Sequence, residues 1–70
     1  MNKLCETEFV FKGETYVVRA LSEGIECIVQ VFKNTQKINK LDYSGALDLK
    51  NKLMKLAESD VINDNPNIVV

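Results

Sequence analysis

Residues 7–33 read TEFVFKGETYVVRALSEGIECIVQVFK, and this stretch decides the fold. It holds three runs rich in β-branched and aromatic residues, a composition typical of strands. Gly13-Glu14 and Glu23-Gly24 separate the runs, and each glycine can adopt the positive φ of a tight turn. The stretch therefore predicts an antiparallel β-meander. Its predicted strands are Thr7–Lys12, Thr15–Leu21 and Ile25–Lys33.

The turns set the register of the predicted hairpins. We expect Lys12 to pair with Thr15 and Ser22 with Ile25, and residues opposite one another share one side of the sheet. One side, the inner face, then carries no charge. It comprises Phe9, Phe11, Tyr16, Val18, Ala20, Cys27, Val29 and Val31. The other side, the outer face, comprises Glu8, Val10, Val17, Arg19, Leu21, Glu26, Ile28, Gln30 and Phe32. A one-residue slip would mix these sets, which favours this parity.

Beyond the strands, residues 33–42 are rich in turn formers, with room for a short fourth strand near residues 37–41. A helix is predicted over residues 44–61, capped by Asp42 or Ser44, because its apolar residues occupy half of a helical wheel. They are Ala46, Leu47, Leu49, Leu53, Met54, Leu56, Ala57 and Val61. The following NDNPN segment is a strong helix breaker.

Together these elements predict a single α+β domain over residues 1–70. A three-stranded antiparallel meander is followed by one amphipathic helix, which packs on the inner face. Residues 63–70 are expected to form a loosely held or docking tail that ends in an apolar stub, Ile68-Val69-Val70. That stub either folds back over the outer face or leaves it open.

Reactive side chains are scarce in this chain. It has no histidine, so the commonest general base and the commonest metal ligand are absent. Two cysteines without histidine are too few for a structural zinc site. Ser22, Ser44 and Ser59 lack a histidine partner for nucleophilic catalysis. We therefore expect no catalytic residue, no metal site and no cofactor, and we expect that the protein is not an enzyme.

Cys5 and Cys27 fall on the first and third strands, with the second strand between them. Strands that flank a central one lie about 9–10 Å apart, whereas a disulfide needs Cα atoms within about 7 Å. We therefore expect both thiols to stay reduced. The chain also lacks an 18-residue apolar run and a signal-peptide core, so we expect a cytoplasmic protein without membrane contact.

Lysines are concentrated between residues 33 and 55, although the net charge of the chain is −1. A phosphate-binding role for these lysines defines the alternative function, a nucleic-acid-binding protein. The segment has one aromatic residue, Tyr43, and no arginine, so it lacks a stacking platform and a reader of guanine edges. We expect a solvated surface instead. The lysines of this alternative site are Lys33, Lys37, Lys40, Lys52 and Lys55.

Lys50 is the one charged residue inside the apolar arc of the predicted helix. Either it is buried in the core or paired with an acid of a partner, or its stem lies along the core while its ammonium reaches water. The second interpretation needs no partner, and we adopt it as the expectation.

The outer face holds an apolar group that a single helix cannot cover. These residues are scattered surface apolars, a surface for the C-terminal stub, or a contact site for a protein partner or a second copy in a homodimer. We predict the contact site, and with it a small non-enzymatic binding or regulatory protein that acts through protein–protein contact. The predicted contact residues are Val10, Val17, Arg19, Leu21, Ile28 and Phe32.

Overall fold

The structure is a computed structural model, and it describes residues 1–69. In that range five strands form one sheet, followed by a 3₁₀ turn and an α-helix that packs on the sheet. The elements are β1 Asn2–Phe11, β2 Glu14–Glu23, β3 Glu26–Lys33, β4 Gln36–Lys37, β5 Tyr43–Ala46, the 3₁₀ turn Leu47–Leu49 and α1 Lys50–Ile62. The predicted α+β fold, with an antiparallel meander and one C-terminal helix, is therefore confirmed.

The first hairpin turns one residue earlier than predicted. Lys12 and Gly13 are its central residues, with φ of 51° and 78°, as a type I′ turn requires. Phe9 consequently pairs with Tyr16, whereas we had expected Val18 as its partner. The predicted turn at Gly13-Glu14 was therefore wrong. The observed type I′ turn is favoured because it matches the right-handed twist of the strands and because glycine occupies its second central position.

The second hairpin turns one residue later than predicted. Its central residues are Gly24, with φ of 60°, and Ile25, so Ser22 pairs with Cys27 and not with Ile25. Each hairpin thus differs from the predicted register by two residues. Because side chains alternate with a period of two, this shift leaves every residue on its predicted side of the sheet. The pairings were wrong, whereas the two faces were predicted correctly.

The core lies between the inner face and α1. Val18, Val29 and Val31 are almost fully buried, and burial of each such side chain contributes roughly 1.5–3 kcal/mol. Phe9, at the margin, is half-buried and stacks on Tyr16 with ring centroids 5.3 Å apart. The helix and the later segments add the remaining buried apolar residues, which are Ile38, Tyr43, Met54, Ala57, Val61 and Ile68.

The helix begins at Lys50 and not near residue 44, because the preceding residues form β5. β5 pairs with the first half of β3, with Tyr43 opposite Val29. The backbone groups at the open edge of β3 form hydrogen bonds with these residues. A helix has its backbone groups bonded internally and could not pair with that edge. Asp42 and Ser44 therefore do not cap the helix, and its N-cap residue is Leu49. Among residues 1–69, no helix is both long and apolar enough to cross a membrane.

Several leucines assigned to the apolar arc are consequently displaced from the core. On α1, Met54, Ala57 and Val61 are buried as predicted, while Leu56 is 49% exposed. Three further apolar residues, two on the 3₁₀ turn and one at the end of α1, are also more than a third exposed. They are Leu47, Leu49 and Ile62.

Asn39 joins β4 to β5 along the edge of β3. It is the one polar residue among the buried residues of the described chain, at 5% exposure. Its side-chain oxygen accepts a hydrogen bond from the N–H of Val31 at 2.9 Å, and its amide donates to the carbonyl of Leu41 at 3.0 Å. The side chain thereby replaces the backbone partner that β3 lacks between the two short strands.

The C-terminal segment, described as far as Val69, docks beside residues 38–41. The N–H of Val69 donates to the carbonyl of Ile38 at 2.7 Å, and the N–H of Lys40 donates to the carbonyl of Asn67 at 2.8 Å. Ile68 is 7% exposed and belongs to the core. The segment therefore packs at the core and not over the outer face; Val70 lies outside the described residues.

The β3–β4 turn offers a test of local strain. Asn34 and Thr35 are its central residues, with φ of 52° and 66°. A β-branched residue is strained at positive φ, whereas glycine adopts it freely. Thr35→Gly should therefore raise the free energy of unfolding by about 0.5–1 kcal/mol in urea titrations. Thr35→Ala, which keeps a Cβ, serves as the control and should gain less; equal gains in both variants would contradict the strain argument.

Candidate functional site

The structure places the six predicted contact residues on the outer face of the sheet. The helix, the C-terminal segment and the core residues all pack on the opposite side, so within residues 1–69 this face borders solvent. Val10 is 69% exposed and the other five are half-buried by their neighbours within the sheet. The face is therefore accessible, although most of its side chains are already partly packed.

The observed register divides the apolar residues into two pairs. Val17 lies directly opposite Phe32, and Leu21 lies directly opposite Ile28. Between these pairs, Arg19 and its partner Gln30 form part of a polar row across the sheet. The outer face consequently presents two small apolar areas separated by hydrogen-bonding groups, and not one continuous apolar patch.

Glu6 and Arg19 form one end of this polar row. The Nε of Arg19 donates to Oε1 of Glu6 at 2.8 Å, and Lys3 approaches the same oxygen at 3.9 Å. The hydrogen bond from Arg19 lowers the pKa of Glu6. The predicted register, with Lys12 opposite Thr15, would place Glu8 opposite Arg19, but the two-residue shift of the hairpin gives that place to Glu6.

Asp42 closes the other end of the polar row. It accepts hydrogen bonds from Gln30 at 3.1 Å and Asn39 at 3.0 Å, and the ammonium of Lys37 lies 2.6 Å away. Burial raises the pKa of Asp42, but these three donors outweigh burial and hold its pKa below the usual value. The row is thus preorganised, because its charged groups already pair with one another within the described residues.

Phe32, one of the predicted contact residues, is held by its neighbours. The guanidinium of Arg19 lies over its ring, 4.4 Å from the ring centroid. Lys37 on β4 lies directly opposite Phe32 in the sheet. One side of the aromatic ring is therefore covered by a cation, a contact that contributes about 0.5–1 kcal/mol at such a surface.

The lysines of the alternative nucleic-acid site do not share one face. Lys33 lies on the inner side, 3.8 Å from Glu14 and near the ring of Tyr16, whereas Lys37 lies on the outer side against Asp42. Of the remaining three, Lys40 follows β4, and Lys52 and Lys55 lie on α1. Two of the five charges are therefore already paired with carboxylates, on opposite sides of the sheet.

The sequence did not predict a cluster near the start of α1 that joins the sulfur atoms of Cys5 and Met54 to Lys50. The Lys50 ammonium donates to Sγ of Cys5 at 3.4 Å, and Sγ of Cys5 lies 3.4 Å from Sδ of Met54. Lys50 thus ends on a thiol rather than on a carboxylate. Cys5 and Cys27 are both free thiols, and burial raises the pKa of Cys27.

Tyr43 and Asp60 form a second unpredicted contact. The hydroxyl of Tyr43 donates to Oδ2 of Asp60 at 2.7 Å and so ties β5 to α1. Burial raises the pKa of Tyr43 to about 12. Across residues 1–69, no three His, Cys, Asp or Glu side chains are grouped as a metal ion would require. The hydrogen bond between Tyr43 and Asp60 has a structural role, since it joins β5 to α1.

No protein-family model, curated protein or solved structure matches this chain. Its function must therefore be inferred from the chemistry of its own surfaces. The feature that distinguishes the outer face is the combination of uncovered apolar pairs with a preorganised polar row.

Asp42 gives a pH-dependent test of this row. Because the folded state lowers its pKa, the carboxylate contributes stability at neutral pH that is lost as the pH falls through that lowered pKa. We expect Asp42→Asn to lower the free energy of unfolding at pH 7 by about 0.5–1 kcal/mol, a size suited to a partly exposed pair. The deficit relative to wild type should shrink as the pH falls below about 4.

Chemical denaturation at several pH values measures this effect. Glu8→Gln is the control, since Glu8 is exposed on a strand and makes no ion pair within residues 1–69. It should change the free energy of unfolding little at any pH. A deficit of Asp42→Asn that stays constant with pH would show that the carboxylate charge is not what stabilises the row.

Lys50→Met tests the environment of the lysine stem. The stem is half-buried beside Cys5 and Met54, and no carboxylate within the described residues pairs with its ammonium. We expect the free energy of unfolding to stay within about 0.5 kcal/mol of wild type or to rise. The exposed Lys52→Met serves as control. A loss above about 1 kcal/mol for Lys50→Met alone would reveal a specific charge contact.

Proposed function

We propose that this protein is a small non-enzymatic binding or regulatory protein that acts through protein–protein contact at its outer face. The observation that carries the proposal is an uncovered sheet face with two apolar pairs on either side of a polar row. The partner is a different protein or a second copy of this chain. The described residues supply no grouped metal ligands, and no reaction is assigned to them.

The composition of the outer face supports a non-obligate contact. Such interfaces mix apolar anchors with polar neighbours and are about as apolar as ordinary protein surface. Arg19 and Phe32 belong to the residue classes that dominate contact energies, aromatic residues and arginine. A domain core would instead exclude the Glu6–Arg19 pair, because buried ion pairs seldom repay their desolvation.

The polar row also lowers the cost of binding. Arg19 and Asp42 already have charged partners in the free protein, so a partner need not supply a counter-charge to either. Their geometry is set before association, and preorganisation of this kind reduces the entropy lost on binding. The apolar pairs can then supply the favourable burial.

Charge insertion at the two apolar pairs tests the proposal. We expect Phe32→Asp and Ile28→Asp each to weaken self-association or partner binding at least tenfold while far-UV circular dichroism stays unchanged. Light scattering after gel filtration reports self-association. Affinity capture from native extract, followed by identification of the captured protein or nucleic acid, reports another partner, whose affinity is then measured with the purified component.

The matched control is Leu56→Asp, an exposed leucine on α1, on the opposite side of the sheet. It should leave binding unchanged. Binding that survives both outer-face variants would remove the outer face as the contact site. Salt-sensitive capture of nucleic acid, lost on replacement of Lys52 and Lys55, would favour the alternative function.

A further inference from the structure

β1 forms a free edge of the sheet. It is 10 residues long, and β2 is its one neighbour in the sheet. The opposite side is closed, since β4 and β5 pair along the outer edge of β3. No residue of β1 is fully buried. The described chain therefore leaves its longest unpaired run of backbone groups along β1.

The turn geometry shows which backbone groups point outward. In a two-residue hairpin the residues that flank the turn exchange hydrogen bonds, and here these are Phe11 and Glu14. Hydrogen-bonded and non-bonded pairs alternate along an antiparallel ladder. The N–H and C=O groups of the alternate residues, Glu6, Glu8 and Val10, therefore point away from β2 and are available to another strand.

A groove runs beside this edge on the inner side. The helix packs mainly on β2, β3 and β5, and it leaves space next to β1. The groove has a volume of about 400 Å³. Phe9 and Met54 give it apolar walls, while Lys55 and Glu58 are among its polar residues. Side chains of a strand added to β1 would enter this groove from alternate positions.

Glu8 gives the edge its charge preference. It is exposed on the outer side of β1, and within residues 1–69 no cation lies within 4.0 Å of it. Glu6, its neighbour on that side, is already bonded to Arg19. A basic residue directly opposite Glu8 would form a cross-strand pair. Its two neighbours in the added strand would then point into the groove, where apolar side chains fit.

In the register that overlaps most of each strand, the same glutamates disfavour a second copy as occupant. An antiparallel pairing of two β1 strands centred on Thr7 would overlap most of each strand. It would place Glu6 opposite Glu8 of the second copy twice. Like charges directly opposite one another destabilise a sheet. A segment with the opposite charge is therefore the better complement.

We propose that β1 accepts an extended segment of a different protein as an added antiparallel strand, with Lys or Arg opposite Glu8 and apolar residues on either side. The backbone of the segment bonds to Glu6, Glu8 and Val10, and its apolar side chains contact Phe9 and Met54. Strand addition of this kind takes affinity from main-chain hydrogen bonds and specificity from alternate side chains. This binding mode is separate from the outer-face contact and does not depend on it.

The test uses a synthetic probe, the capped peptide TVTVKVTVT. Its central lysine can face Glu8 while the valines face the groove. Two control peptides differ at that position: one carries glutamate, and the other carries lysine methylated on its backbone nitrogen. We expect the wild-type chain to bind the lysine peptide at least tenfold more tightly than either control. Amide NMR shifts should be largest at Glu6, Glu8 and Val10.

Protein variants complete the test. Glu8→Lys should reverse the preference between the lysine and glutamate peptides, whereas Glu23→Lys, at the far end of β2, should leave it unchanged. Equal affinity for the three peptides, or no binding at millimolar concentration, would overturn the proposal. Concentration-dependent shifts along β1 without peptide would assign the edge to a second copy instead. Phe32→Asp should not alter peptide binding, so failure of the outer-face proposal stays distinguishable.

Discussion

The burial of the charge-free inner face beneath α1 is the interaction on which the rest of the structure depends. Val18, Val29 and Val31 are nearly inaccessible, and Met54, Ala57 and Val61 of the helix pack on the same side. A 70-residue chain with two free thiols has few other sources of stability. Every later segment joins this core from the same side: Tyr43 from β5, Ile38 after β4 and Ile68 near the C-terminus. The outer face is left uncovered because the helix and these later segments all pack on the inner side.

The pairing of β3 sets the second constraint. Its outer edge pairs with β5 along one half and β4 along the other, and the Asn39 side chain fills the interval between them. Because the chain returns on that edge, none of the residues up to Val69 pairs with the free edge of β1. The asymmetry has a direct consequence: one edge of the sheet is closed by this chain itself, and the other keeps its backbone donors and acceptors. The free edge is thus a result of the chain's path as much as of the sequence of β1.

The sequence predicts the two faces well because their parity survives an error in the turns. A shift of two residues moved Phe9 from Val18 to Tyr16, yet every side chain stayed on its own side. The helix start could not be predicted in the same way, since the leucines after Tyr43 fit a helical wheel. Only the open edge of β3, which is distant in sequence, selects a strand there. The division of the contact residues into two pairs likewise depends on the true register, and so does the replacement of Glu8 by Glu6 beside Arg19.

The outer face and the edge of β1 would recognise partners through different interactions, and Glu6 belongs to both surfaces. Its side chain is part of the polar row, whereas its backbone groups point outward along the edge. In the polar row of the outer face the charges are already paired, so selectivity there would come from the shape of the apolar pairs. At the edge, the unpaired charge of Glu8 favours a basic segment. A strand added to β1 would also widen the sheet next to the exposed Val10, and so enlarge the outer face. Occupation of the edge would therefore change the surface offered to a second partner, without any movement of the core.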